Sequence, residues 1–229
     1  MLDLMRYIFL AYFSYHHKDG VQMIQLIYVA DPMCSWCYGF SHEISKLIAS
    51  EGSVQLQLVL GGLRPFNKQV MDDHLKAVIK EHWKEVAKES DVKFSDKTMA
   101  QRDFIYDTEP ACRAVVAVRE TTPEMSLNYM HALQKAFYAE GQDITKPAIL
   151  ADVAEEIGLD RKNFEVSLEL QSIKDATADD FAMVKRWNIT GFPTLLMKQG
   201  RKLHVLTIGY SKYEDLISRL GEVKASMSY

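Results

Sequence analysis

The sequence predicts an α/β fold whose sheet is built from the two ends of the chain, with a large all-helical insertion between them. Three observations predict it. The chain opens strand–helix–strand, it closes with two strands and a helix, and from about Lys68 to Trp187 it shows helical periodicity only. The element order is therefore β-α-β … α-β-β-α.

Ile24–Ala30 (IQLIYVA) is a short apolar run rich in branched and aromatic residues, which fits a buried strand. Asp31-Pro32 ends it, because proline has no N–H for the ladder. A helix starts at the cysteines, where Cys37, Phe40, Ile44, Leu47 and Ile48 share one face. Gly52 closes that helix. Val54–Leu60 (VQLQLVL) alternates apolar and polar residues before Gly61-Gly62, giving a second strand parallel to the first through a right-handed crossover.

In the middle of the chain Met71, Leu75, Val78, Ile79, Trp83 and Val86 form one long apolar stripe. Pro110 opens a helix through Val118, Pro123 another to Ala139 and Pro147 another to Ile157, since proline loses nothing in a first helical turn. Asp160 caps a helix carrying Phe164 and Leu168, and Thr177–Trp187 is the sixth of the block. Thr194–Met197 and Leu203–Ile208 flank Gln199-Gly200 and read as a hairpin. Tyr213–Ala225 is a final amphipathic helix. The boundaries implied are an extension at 1–22, a sheet-forming domain at 23–66 plus 175–229, and an inserted helical subdomain at 67–174.

The chain has 229 residues, 48% hydrophobic and 25% charged, with a formal net charge of -4. That is enough apolar material for a real core, and no basic run points to nucleic acid or an acidic membrane surface. No segment is apolar for long enough to span a bilayer. Tyr7–Phe13 (YIFLAYF) is apolar, but Asp3 precedes it and no small-residue cleavage site follows before His16 and His17. A secretory signal is not expected, so the expected location is the cytoplasm of a bacterium rather than the periplasm. Met23 offers a natural alternative start.

Only three cysteines occur, Cys34, Cys37 and Cys112, so this is no disulfide-stapled scaffold. Cys34 and Cys37 form a C-x-x-C at a strand-to-helix junction. Unpaired N–H groups and the positive end of the helix dipole face the first cysteine there and favour its thiolate, the nucleophilic form. Cys37 lies one turn further, facing inward. Cys34 would attack, and Cys37 would resolve the mixed disulfide. A structural zinc needs two further ligands at suitable spacing, and neither a second C-x-x-C nor a spaced histidine pair is present, so no metal is expected.

A second constellation is Gly191-Phe192-Pro193-Thr194, directly before a strand. Together with the Cys34-x-x-Cys37 junction and the order of elements, it resembles the DsbA family of the thioredoxin superfamily, especially its FrnE-like and disulfide-isomerase members. Asp31-Pro32-Met33-Cys34-Ser35-Trp36-Cys37-Tyr38-Gly39-Phe40, Gly61-Gly62-Leu63-Arg64-Pro65 and Gly158-Leu159-Asp160 add to the resemblance, which covers roughly Met23 to the C-terminus. It implies a thioredoxin-like fold and a thiol–disulfide oxidoreductase. It implies no separate cofactor, since a Cys34–Cys37 disulfide is itself the redox group. Protein thiols and disulfides, or glutathione as co-substrate, are the implied partners. It also implies a cis Pro193 beside Cys34, with Phe192 offering its backbone to an extended substrate and Thr194 lining the same groove. Ser35-Trp36 departs from the Pro-His of the namesake oxidase. The alternative on the same fold is a glutathione-dependent isomerase or kappa-type transferase of a small molecule, whose members carry serine where Cys34 stands.

Other residues have two readings each. Trp36, between the cysteines, is expected to be exposed and to join a substrate patch. Asp31 is either a proton relay for Cys37 or a solvated turn residue. Cys112 reads as a small core hydrophobe, with a spare thiol near Cys34 as the option that the related glutathione-linked enzymes imply, and Arg64 as a surface or capping arginine with carboxylate binding as the functional option. Trp83 and Trp187 read as core. His42, His74, His82, His131 and His204 share no ligand spacing.

Overall fold

The computed structural model describes residues 23–226, so the expectations for 1–22 lie outside the described residues. Strands β1 (Ile24–Ala30), β2 (Val54–Leu60), β3 (Thr194–Gln199) and β4 (Lys202–Ile208) form one mixed sheet in the order β2-β1-β3-β4. β1 runs parallel to β2 and antiparallel to β3, and β3 pairs antiparallel with β4. β1 lies inside the sheet, so both of its faces are buried, which is why it reads as a nearly unbroken apolar run.

Leu26, Tyr28, Leu58, Leu60, Leu195 and Met197 face one way, into the main core. There they meet Phe40, Ile44 and Leu47 of helix α1 (Ser35–Ser50). The other face carries Ile27, Val29, Val59 and Leu196, with Val184 packed on them. The period of two along β1 thus sends alternate residues into two separate cores.

Between the halves lie α2 (Asp73–Ser90), α3 (Glu109–Thr121), α4 (Ser126–Tyr138), α5 (Pro147–Glu156), α6 (Arg161–Glu169) and α7 (Gln171–Arg186); α8 (Tyr213–Ser226) closes the chain. The main core runs without a break from the sheet into this helical block. An aromatic cluster fastens the block to α1. Tyr38 of α1 stacks on Tyr138 at 5.0 Å, Tyr138 meets Trp83 edge-on at 5.4 Å, and Trp83 stacks on Phe94 at 5.1 Å. Gly39 lets α2 approach: a β-carbon there would sit 2.7 Å from the Ser90 hydroxyl.

The thioredoxin-like α/β fold with its helical insertion is as the sequence predicts, and the departures have local causes. α2 starts only at Asp73, capped by the Asp72 carboxylate, which accepts from the Leu75 amide at 2.7 Å. Met71 is buried but lies before the helix, and Val78 is exposed. Lys76 takes a buried place instead and spends its ammonium on the Gln101 carbonyl, 2.5 Å away. Pro123 opens a short 3-10 turn (Pro123–Met125), so α4 begins at Ser126. α7 begins at Gln171 rather than Thr177. Its buried positions, Ile173, Thr177, Asp180 and Val184, have helical spacing but two are polar, which hides the stripe from an apolar count. Trp83 is buried; Trp187 is only partly so, against the second core.

His131 on α4 has its Nε2 buried without a hydrogen-bond partner among the described residues, and burial lowers its pKa from 6.5 to about 4. A depressed histidine binds its proton later in the folded state than in the unfolded chain. Stability is therefore lost as pH falls from about 6.5 towards 4, by on the order of 3 kcal/mol in total. Chemical denaturation of wild type and His131→Gln at pH 7 and pH 4.5 should show the variant losing less. Equal losses would show that His131 does not carry this dependence.

Candidate active site

β1 delivers Asp31-Pro32-Met33 directly to Cys34, which is the N-cap of α1 with extended backbone. The turn is held by the Cys34 amide donating to the Asp31 carbonyl at 3.1 Å. The Cys37 amide donates to the Cys34 sulfur at 3.4 Å, so a first-turn N–H is aimed at that sulfur. Cys34 is 6% exposed and Cys37 fully buried; both are free thiols, as is Cys112. Burial pushes the Cys37 thiol well up, and the neighbouring Cys34 adds to it.

The sheet register brings the second constellation here. Val29 pairs with Thr194, so the loop before β3 ends level with the last residues of β1, beside the cysteines. The Phe192–Pro193 bond is cis, and the Cys34 thiol donates to the Phe192 carbonyl at 3.6 Å. The Phe192 ring lies where a β-carbon on Gly61 would come within 2.2 Å, so only glycine leaves room for it. Pro193 is buried, and its carbonyl accepts from the Gly209 amide at 2.7 Å. Thr194 is 1% exposed, and its hydroxyl donates to the Gly191 carbonyl. It therefore closes the loop rather than lining an open groove.

Asp31 is not a solvated turn residue. It is fully buried, with Oδ1 accepting from the Met33 amide at 2.8 Å and Oδ2 from the Leu63 amide at 2.6 Å. The Cys112 thiol also donates to Oδ2, at 3.4 Å. Burial raises the pKa of this carboxyl although those donors oppose it. Cys112 is thus a core residue, as its sequence reading held, but one that touches the carboxylate beside the dithiol. Burial, and then Asp31, push its thiol well up.

Trp36 is half-buried rather than exposed, because its ring tilts against Tyr210 at 5.8 Å. Leu63, Phe66 and Val70, at 42%, 62% and 51%, are the large exposed apolar side chains of the segment after β2. Phe66 meets Phe181 edge-on at 6.4 Å. Arg64 lies exposed with its guanidinium 5.7 Å above the Tyr106 ring. The Tyr106 hydroxyl donates to the Met33 carbonyl, just before Cys34.

Sequence reasoning missed Tyr106, the Leu63 amide and Tyr28. Of these only Tyr28 left a signal: a polar tip in a central strand that is apolar apart from Gln25. Among the described residues no helix is long and apolar enough to cross a membrane.

A dithiol at a helix N-terminus, faced by a proline loop of a four-stranded mixed sheet, defines the thioredoxin class. The chain belongs to the DSBA-like thioredoxin domain family, which matches residues 25–221. It is similar to a structure from Nitrosomonas europaea described as a candidate protein disulfide isomerase, at 32% identity and a TM-score of 0.83, covering 90% of this chain and 99% of that one. The fold is also shared with the cytosolic disulfide reductase DsbM of Pseudomonas aeruginosa, at 23% identity and a TM-score of 0.73, over 89% of this chain and 99% of that one. DsbM has been solved with GSH as well. The ClpXP adapter protein SpxH of Bacillus subtilis is 22% identical over 80% of this chain, which spans 61% of that protein's length.

Proposed function

We propose that the protein exchanges electrons with thiols and disulfides through Cys34 and Cys37, with protein disulfides or glutathione as partner. One observation carries the reading. The slightly exposed Cys34 sulfur receives a helix N-terminal amide on one side and faces the Phe192 carbonyl on the other, with buried Cys37 one turn behind it.

In the reducing direction the Cys34 thiolate attacks one sulfur of the partner disulfide. That S–S bond breaks, the partner's other sulfur leaves as thiolate, and Cys34 is left in a mixed disulfide. Cys37 passes its proton to the Asp31 carboxylate and attacks the Cys34 sulfur. The Cys34–Cys37 bond forms, the second partner thiol departs, and two electrons have moved to the partner. The reverse sequence oxidises a dithiol. Burial makes this carboxyl a stronger proton acceptor than an ordinary carboxylate, while it raises the Cys37 thiol as well. Pro193 and Phe192 would form the wall against which an extended partner segment lies. Trp36 would flank that segment, and Thr194 would hold the loop's shape. DsbM's description as a cytosolic reductase, and its structure with GSH, support glutathione as partner and the cytoplasm as location.

Reduction of insulin in the presence of dithiothreitol tests the reading. Many turnovers per protein are expected; a glutathione-linked isomerase or transferase of small molecules would show none. Limited iodoacetamide labelling at neutral pH should modify Cys34 at least about tenfold faster than Cys37 or Cys112, whose thiols are sealed and raised by burial. Mass-spectrometric mapping reads this out, and labelling of Cys37 first would reverse the two roles.

A further inference from the structure

Tyr28 lies at the middle of β1, and its side chain enters the main core beneath α1. It is fully buried, and its ring meets Phe40 at 5.6 Å. Phe40 stands three residues after Cys37 on the same buried helix face, so Tyr28 reaches the underside of the dithiol turn. Its hydroxyl is sealed from solvent, and among the described residues it has no hydrogen-bond partner.

Leaving a buried donor unpaired costs about 1–3 kcal/mol, so such groups normally have a use. The reactive groups facing this one are the sulfurs of Cys37 and, after it, Cys34. A thiol is a weak acceptor, whereas a thiolate is a strong one. Burial and those two sulfurs hold the tyrosine firmly protonated, so it remains a donor wherever the protein is folded.

We propose that the Tyr28 hydroxyl is the hydrogen-bond donor that stabilises the Cys37 thiolate during resolution of the mixed disulfide. The contact is weak while Cys37 is a thiol. It strengthens when the proton leaves, in the state from which Cys37 attacks the Cys34 sulfur and expels the partner. An interaction stronger in the charged state than in the resting state lowers the barrier instead of merely holding the site together. The groups facing Cys37 then divide the work. Asp31, from the turn after β1, takes the proton; Tyr28, from β1 itself, holds the charge left behind; and Cys34 is the target. The inference rests on the dithiol reading above.

The test uses 5,5′-dithiobis(2-nitrobenzoate), whose coloured thiolate is released twice. The first release reports attack by Cys34 on the reagent, and the second reports attack by Cys37 on the resulting mixed disulfide. In stopped-flow at neutral pH, Tyr28→Phe should leave the first rate within about twofold and slow the second about tenfold, the size of a charge-assisted hydrogen bond. Phe40→Leu loosens the same packing but keeps the hydroxyl, and should leave the ratio of the two rates near that of wild type. A wild-type protein with no second release would refute the dithiol mechanism itself. A wild-type second release that Tyr28→Phe does not slow, or slows only together with the first, would refute the role of Tyr28 alone. A Tyr28→Phe protein that fails to fold would show that the hydroxyl has a structural partner, and would overturn the proposal as well.

Discussion

Cys34→Ser is expected to lower insulin turnover by at least about three orders of magnitude, because nothing else in the site can form the mixed disulfide. Cys37 and Cys112 are both fully buried with thiols raised well above their usual range, so neither can take over the attack. Cys37→Ser should behave differently. Its Cys34 still reacts with the partner disulfide, but the second thiolate is gone. Covalent adducts should accumulate and appear as higher bands on non-reducing gels, collapsing on addition of dithiothreitol. A Cys34→Ser protein retaining a tenth of wild-type turnover would sink the assignment. So would adducts of Cys37→Ser that map to Cys112.

The second large effect is on stability. Arg119 of α3 and Asp180 of α7 form an ion pair with a 2.6 Å contact, their side chains 18% and 6% exposed. Arg119 also donates to the Leu58 carbonyl at 2.8 Å, and Asp180 accepts from the Leu60 amide at 2.8 Å. Two helices are thereby tied to the end of β2. Asp180→Ala strips the partner from a largely desolvated guanidinium and orphans a buried amide. A loss of about 3 kcal/mol is expected, visible as a fall of roughly 6–12 °C in Tm. The double variant Arg119→Met/Asp180→Leu should recover much of it, since removing both charges also removes their desolvation cost. Because Leu60 precedes Gly61, against which the Phe192 ring rests, turnover should fall a few-fold in Asp180→Ala while the protein stays folded. A single variant as stable as wild type in urea would show the pair to be dispensable.

The sequence carried the parts of this molecule that depend on period and punctuation. β1, β2 and the hairpin were legible because apolar runs ended at Asp31-Pro32, Gly61-Gly62 and Gln199-Gly200. Cys34 and Cys37 stand out as candidates because few chemistries use a C-x-x-C at a strand-to-helix junction, whereas Pro193 is legible only through the family resemblance. What stayed hidden depends on three-dimensional closure. The burial of Asp31 comes from the Leu63 amide and the Cys112 thiol, 32 and 81 positions away, and no local pattern announces either. Trp36 looked free because Tyr210, which half covers it, belongs to the far end of the chain. The first half of α7 is hidden in the sequence because Thr177 and Asp180 are polar residues that find partners inside, one on the Ile173 carbonyl and the other on Arg119.

Cys34 and the Phe192 carbonyl that faces it are 158 positions apart, on opposite sides of the helical insertion. During synthesis both cysteines of the pair emerge long before the loop that will stand against them. A nascent chain that stops short of Thr194 carries two thiols without their proline wall, and one edge of β1 still lacks its antiparallel neighbour. Insertion of β3 fills that edge and presents Phe192 to Cys34 in the same event. The seam that joins the two ends of the chain is therefore also the one that sets the proline wall against the cysteines, with only β4 and α8 still to follow it.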